Sequence, residues 1–183
     1  MEDPAFISDS NSKDVSTPYG EPSSELILGT IADVPVVILS RHGPGHSINP
    51  TNVNYRANIW ALKEEGCSHI LAATACGSLR ERITPGHFIF PDQFIDRTTK
   101  RISTFFEGSD VRHVSMGNPF SAGMRNCLVE ACKSLGFEHH NGGTVVTIEG
   151  PRFSTKAESM MFRSWGCDII NMSTVPEIVL ARE

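Results

Sequence analysis

Ser40-Arg41-His42-Gly43 directly follows an apolar, β-branched run, Val34 to Leu39, and an Arg beside a His at the end of a strand is a pairing suited to an anion. The planar guanidinium of Arg41 matches phosphate oxygens, and His42 can add a donor next to it. A surface arginine beside a structural histidine is the competing reading. Two further apolar runs end on small and polar residues in the same way. Ile70 to Thr74 leads into Thr74-Ala75-Cys76-Gly77-Ser78, and Ile169 to Met172 into Asn171-Met172-Ser173-Thr174. Thr74 and Ser173 supply hydroxyls, and the small residues let backbone N–H groups approach closely, as an anion cradle requires. Each hydroxyl alone serves equally well as a cap or a turn former. Their recurrence after strands is what points to a site, because ligands of open α/β sheets bind beyond the carboxyl ends of the strands.

Other chemistries are less well supplied. Cys76 with His42 or His46 has the residue types of a nucleophile and its base, but a small cysteine is also a common packing residue. His42, His46 and His113 show no paired-ligand spacing for a metal. Phe153, after the turn Glu149-Gly150-Pro151-Arg152, offers either an exposed face for a flat base or an ordinary core ring. Arg152 and Glu158 read most simply as a solvated or structural ion pair.

The elements that must position these residues alternate in type. Residues Met1 to Ser24 are rich in Ser, Asp, Pro and Gly and read as a loop or mobile arm. Leu26–Thr30 and Val34–Leu39 predict a hairpin turning near Asp33, and Val53, Ala57, Trp60 and Ala61 follow helical spacing up to a cap at Gly66. Ile70–Thr74 predicts a buried strand, Phe88–Phe90 another, and Thr98–Pro119 a long loop. Met124, Cys127, Leu128, Ala131, Cys132 and Leu135 recur with helical period before Gly136. Thr144–Ile148 predicts a strand. Thr155 with Glu158 has the form of a capping box, with Ala157, Met161 and Trp165 as the apolar stripe of the helix it opens. Ile169–Met172 is a further strand, and Pro176 suits the first turn of a helix. Alternating strands and helices predict an α/β fold with a central mixed sheet flanked by helices. The apolar residues Ile178, Val179 and Leu180 have only begun a helix when the sequence stops, so the domain reads as truncated.

Composition bounds the class. The 183 residues are 39% hydrophobic and 20% charged, enough for a real core, and the formal net charge of −5 argues against a nucleic-acid surface. The 5 cysteines are scattered and never spaced CxxC, which suits a reducing compartment rather than a disulfide framework or a zinc site. No apolar run reaches the ~20 residues of a membrane span. The first residues, with Glu2, Asp3, Asp9 and Asp14, lack the basic and apolar regions of a signal peptide. A soluble, cytoplasmic protein is expected.

Longer blocks are specific. Tyr55-Arg56-Ala57-Asn58-Ile59-Trp60-Ala61-Leu62-Lys63, Thr74-Ala75-Cys76-Gly77-Ser78-Leu79-Arg80, Asp92-Gln93-Phe94-Ile95-Asp96-Arg97-Thr98, Glu149-Gly150-Pro151-Arg152-Phe153-Ser154 and Asn171-Met172-Ser173-Thr174-Val175-Pro176-Glu177 occur in order. Together they resemble the signature blocks of the methylthioadenosine phosphorylase family, from about Asp3 onward. The resemblance implies the purine nucleoside phosphorylase-like fold, a homotrimer with active sites near subunit interfaces, and no metal or organic cofactor, inorganic phosphate being a co-substrate. The implied reaction is phosphorolysis of methylthioadenosine to adenine and 5-methylthioribose-1-phosphate, in methionine and purine salvage; cytoplasmic location, with nuclear presence compatible, goes with it.

By position, the resemblance implies phosphate ligands at Arg41, His42, Thr74, Ala75 and Ser173. It implies a ribose neighbour at Met172, a base-stacking ring at Phe153, a sugar neighbour at His46, and a residue offered to the alkylthio end of a neighbouring subunit's substrate at His113. Ser154 occupies a position linked to the choice between 6-amino and 6-oxo purines. Family members also carry a Gly-rich turn ahead of the point matching Met1 and, past the point matching Glu183, an Asp-rich segment that protonates the base. The chain therefore reads as a single phosphorylase domain over 25–183, incomplete at both ends, with no catalytic proton donor among its residues. Two alternatives stand beside the main reading: a 6-oxopurine nucleoside phosphorylase, and an inactive short form acting only in binding or assembly. Gly43-Pro44-Gly45-His46 is more Gly-rich than the matching family loop, which puts local geometry there in question.

Overall fold

A computed structural model describes residues 6–183. The chain divides into two compact units on either side of the Ala72/Ala73 boundary.

The first unit contains a three-stranded antiparallel sheet, β1 (Ser8–Lys13), β2 (Leu26–Ile31) and β3 (Val34–Ile38), in that order. β2 and β3 form the expected hairpin: Ile31 pairs with Val34, and Ala32 and Asp33 turn with φ of 47° and 62°, the conformation whose twist suits a two-residue hairpin. β1 departs from the expected arm, of which residues 1–5 lie outside the described residues. All of its side chains are exposed, so no apolar alternation marks it, and its strand character comes from backbone pairing with β2. Ile7, just before it, is buried; its side chain lies where a Cβ on Gly29 of β2 would be, 2.5 Å from the Ile7 Cγ1.

Helix α1 (Tyr55–Glu64) buries Tyr55, Ala57, Ile59 and Ala61. Asn54 caps it, accepting from the Ala57 N–H at 3.3 Å, while its amide donates to the Tyr19 carbonyl at 2.8 Å. One turn on, Asn58 accepts from the Ser23 N–H at 2.8 Å and donates to the Ser23 hydroxyl at 3.0 Å. Asparagines at i and i+4 thus fasten the 19–23 segment along α1.

The second unit is built on a four-stranded sheet in the order β4 (Gly77–Ser78), β9 (Ile169–Asn171), β8 (Thr144–Ile148), β6 (Gln93–Arg97). β6, β8 and β9 run parallel, and β4 pairs antiparallel with β9. β5 (Phe88–Phe90) and β7 (His139–Asn141) form a separate parallel pair. Thr147, Val145 and Val146 of the central strand are fully buried. Successive side chains point to opposite faces, so Val146 packs with Leu79, Phe162 and Cys167 on one side, and Val145 with Ile83 and Ile169 on the other.

Helices α2 (Ala122–Leu135), α3 (Lys156–Ser164) and α4 (Thr174–Arg182) complete the unit. α2 forms where periodicity predicts and ends on Gly136 in the left-handed conformation, but its buried residues are Val129 and Cys132, while Cys127, Ala131 and Leu135 are exposed. α3 opens with the expected capping box of Thr155 and Glu158. Its predicted inward stripe of Ala157, Met161 and Trp165 is exposed instead; Phe162 is buried, and Ser159 is half-buried with its hydroxyl on that of Ser154 at 2.8 Å. Pro176 is buried in the first turn of α4. The run Ile70–Thr74 is not a strand: it is irregular, with Ile70 and Leu71 exposed, because an apolar run becomes a strand only where a neighbour supplies backbone partners.

Candidate active site

In the second unit, the sheet's topology brings candidate residues together. Ser173 follows a parallel strand, so it lies past the carboxyl end of β9. Thr74 precedes β4, which runs antiparallel to β9 with Gly77 opposite Ile170, so the residues leading into β4 lie at that same end. The sequence expectation that Thr74 closes a strand is therefore corrected, while its placement at the carboxyl edge of the parallel strands, where ligands of open α/β sheets bind, follows from strand direction. The Thr74 and Ser173 hydroxyls are 2.7 Å apart, and Ser173 is buried. Ala75 is exposed beside Thr74, and its carbonyl lies 3.2 Å from the Thr74 hydroxyl.

Local polar contacts shape the Met172–Ser173 turn. Asn171, buried at the end of β9, accepts from the Thr147 hydroxyl at 3.0 Å and donates to the Thr174 hydroxyl at 2.7 Å. One amide thereby joins the central strand to the first residue of α4. The half-buried Met172 side chain rests against Gly150: a Cβ there would sit 2.5 Å from the Met172 sulfur, and Gly150 also has φ of 73°. Glycine is required on both counts.

Past that turn, Phe153 is 85% exposed, which removes the core reading of its ring and leaves an aromatic face open. Ser154 is held by the Ser159 hydroxyl. Arg152 and Glu158 form the expected pair, two bonds of 2.8 Å, and the same carboxylate accepts the Thr155 N–H at 2.7 Å. The Arg152 guanidinium, then the Thr155 N–H, hold Glu158 down at about 2. His113 is exposed in the irregular segment before α2.

Arg41, His42 and His46 belong to the first unit. The Ser40 N–H donates to the Ser24 hydroxyl at 3.0 Å, fixing the exit from β3. His42 Nδ1 lies 2.8 Å from the Ile48 carbonyl, and the Ile48 N–H returns a bond of 2.9 Å to the His42 carbonyl. A carbonyl only accepts, so Nδ1 carries the proton, and Nε2 donates to an anion only when the ring is protonated. His46 is exposed with its ring 4.4 Å from that of His42, and Arg41 is half-buried.

The nucleophile reading of Cys76 loses ground, since desolvation pushes its thiol up from the ordinary value and none of the causes is a cation that would favour the thiolate. Among the described residues no group of three or more His, Cys, Asp or Glu is arranged to hold a metal, and no helix is long and apolar enough to cross a membrane. A shallow concavity of about 420 Å³ lined by Leu79, Arg80, Lys156, Met160 and Arg163 among others contains none of the candidate residues.

One residue of this region escaped the sequence reading. Arg101, in the expected loop, has a side chain 1% exposed and donates to carbonyls at the ends of β8 and β9. No local spacing marks it; the only sequence signal is an arginine in a loop that a strand end must follow.

Residues 2–183 match the Phosphorylase superfamily. The S-methyl-5'-thioadenosine phosphorylases of Danio rerio and Xenopus tropicalis are each 57% identical over 100% of this chain and 67% of their own length. The chain thus spans about two thirds of these relatives. A solved structure of methylthioadenosine phosphorylase from Schistosoma mansoni in complex with tubercidin superimposes with a TM-score of 0.93 at 42% identity, covering 98% of this chain and 72% of that one. A mutant of the Schistosoma mansoni adenosine/methylthioadenosine phosphorylase in complex with adenine gives the same score over 97% and 70%. On these likenesses, over the whole of its described structure, the chain belongs to the S-methyl-5'-thioadenosine phosphorylase family of the phosphorylase superfamily.

Proposed function

We propose that the chain carries the reversible phosphorolysis of S-methyl-5'-thioadenosine to adenine and 5-methylthioribose-1-phosphate. The observation that carries this reading is the Thr74–Ser173 hydroxyl pair, 2.7 Å apart at the carboxyl end of β9, in a chain 57% identical to proteins that bear that name. The adenine and tubercidin complexes of the Schistosoma proteins support a purine as the leaving group.

In this reading Arg41, His42, Thr74, Ala75 and Ser173 hold phosphate, Met172 and His46 flank the sugar, and Phe153 stacks on the base. Ser154 tunes the choice of purine, and His113 serves the alkylthio end of a neighbouring subunit's substrate in a homotrimer. A phosphate oxygen bonds to the anomeric carbon as the glycosidic C–N bond breaks; that electron pair leaves with adenine, which takes a proton at N7. Catalysis is then positioning plus electrostatics, the bound anion stabilising the cation-like sugar. Phosphate is the co-substrate, no metal or organic cofactor takes part, and the cytoplasm, with nuclear presence compatible, is the compartment.

The test is release of adenine from methylthioadenosine by the purified chain, with and without phosphate, beside inosine. Phosphate-dependent adenine release with inosine slower is the expected result. Faster cleavage of inosine would replace the substrate with a 6-oxopurine nucleoside, and a folded chain with no release would leave a binding or assembly role.

A further inference from the structure

The guanidinium of Arg101 gathers the carbonyls of two loops. Nη1 donates to Met172 and Val175, both at 2.6 Å; Nη2 donates to Glu149 at 2.7 Å and Ile148 at 3.4 Å. Nε faces a Glu149 carboxylate oxygen at 3.4 Å, and the other oxygen of that carboxylate accepts from the Thr99 and Lys100 N–H groups at 2.5 and 3.1 Å. Burying a cation is costly unless it is paired and its donors are used, and here both conditions hold. The carbonyls it reaches flank two short turns. One is Met172-Ser173-Thr174; the other, starting at Glu149-Gly150, leads to Phe153 and Ser154, and Met172 packs on Gly150 between them.

We propose that Arg101 is a positioning residue that sets the Met172–Ser173 turn against the Glu149–Gly150 turn, and so fixes the phosphate-side hydroxyls relative to the base-side ring. Its effect on catalysis rests on the function proposed above; the placement of the turns does not. A fork of donors spread over one plane reaches separate carbonyls, which the single ammonium of a lysine cannot imitate. Charge alone therefore does not replace it.

The experiment compares R101Q and R101K with wild type, and K133Q on the exposed face of α2 serves as a control for loss of a cation. The first readout is the carbon-13 methyl spectrum of the methionines, with Met124 on α2 as an internal reference for Met172. The second is binding of inorganic phosphate by calorimetry, and the third is steady-state phosphorolysis with phosphate and nucleoside varied separately. In R101Q the Met172 methyl shifts while Met124 stays, phosphate binding weakens, and kcat/KM falls about 100-fold, the cost of a misplacement near 1 Å. R101K keeps the fold and recovers only a minor part of the loss, and K133Q matches wild type. If R101Q fails to fold, R101K is read in its place. A Met172 methyl unmoved in a folded variant overturns the inference, as does a shift of all the methyls together. If wild type releases no adenine, the functional proposal falls and the methyl spectrum still decides the role of Arg101.

Discussion

The two ends of the parallel strands in the second unit are secured by opposite charges. At the amino ends, Asp168 accepts from the Thr144 N–H at 3.0 Å and from Arg80 and Arg82 at 3.2 and 2.9 Å, and Asp92 accepts from the Gly143 N–H at 3.0 Å. At the carboxyl ends, Arg101 donates to carbonyls of residues 148, 149, 172 and 175. Each side chain matches the backbone groups it meets: the carboxylates of Asp168 and Asp92 take N–H groups, and the guanidinium of Arg101 gives to C=O groups. The edge with Asp168 carries no candidate residue, whereas the edge with Arg101 carries Thr74, Met172, Ser173, Phe153 and Ser154. One end holds the sheet together, and the other also gathers the candidate residues.

That contrast can be broken most sharply at Gly150. Gly150→Ala places a Cβ against the Met172 sulfur in a backbone conformation that alanine resists, so kcat/KM is expected to fall about 100-fold, measured by adenine release at equal folded concentration. Asp168→Ala tests the other edge: it strands the Thr144 N–H and frees two arginines, with about 2 kcal/mol lost in a denaturant melt and the KM for phosphate unchanged. A large rise in that KM would abolish the distinction between the ends. Ser173→Ala removes one hydroxyl of the 2.7 Å pair; we expect the KM for phosphate to rise about 10-fold with little change in the KM for nucleoside, in line with about 1.4 kcal/mol per tenfold.

The smallest effect belongs to the exposed Arg152–Glu158 pair at the start of α3. The folded Glu158 value, about 2, lies below its usual 4.5, so the pair's contribution is present above pH 4.5 and is lost as pH falls toward 2. Wild type should lose slightly more thermal stability than Glu158→Gln over that window. Equal losses would show the pair to be energetically silent, as many exposed pairs are.

Elements written in local chemistry were legible. The β2–β3 hairpin, the end of α2 at Gly136 and the Thr155/Glu158 box each depend on residues within a few positions of one another. Where a neighbour decides, the reading failed. Ile70–Thr74 has the composition of a strand but no ladder, and Ser8–Lys13 has a ladder but no apolar pattern. The stripe of Ala157, Met161 and Trp165 is truly periodic, yet the sheet takes Phe162. For the site, residue types and blocks brought out Thr74, Met172, Phe153 and Ser173, while Arg101 stayed hidden because its partners lie 47 to 74 residues along the chain.

The sequence by itself determined the family, the α/β class, the helix caps and which residue types follow the strand ends, since these reside in side-chain chemistry and short spacings. Only the tertiary structure decided that Thr74 meets Ser173 across an antiparallel step, that Gly150 yields its side-chain space to Met172, and that Arg101 ties the two turns together. Those contacts join segments far apart in the chain, and their geometry follows from strand direction and packing, which no local pattern encodes.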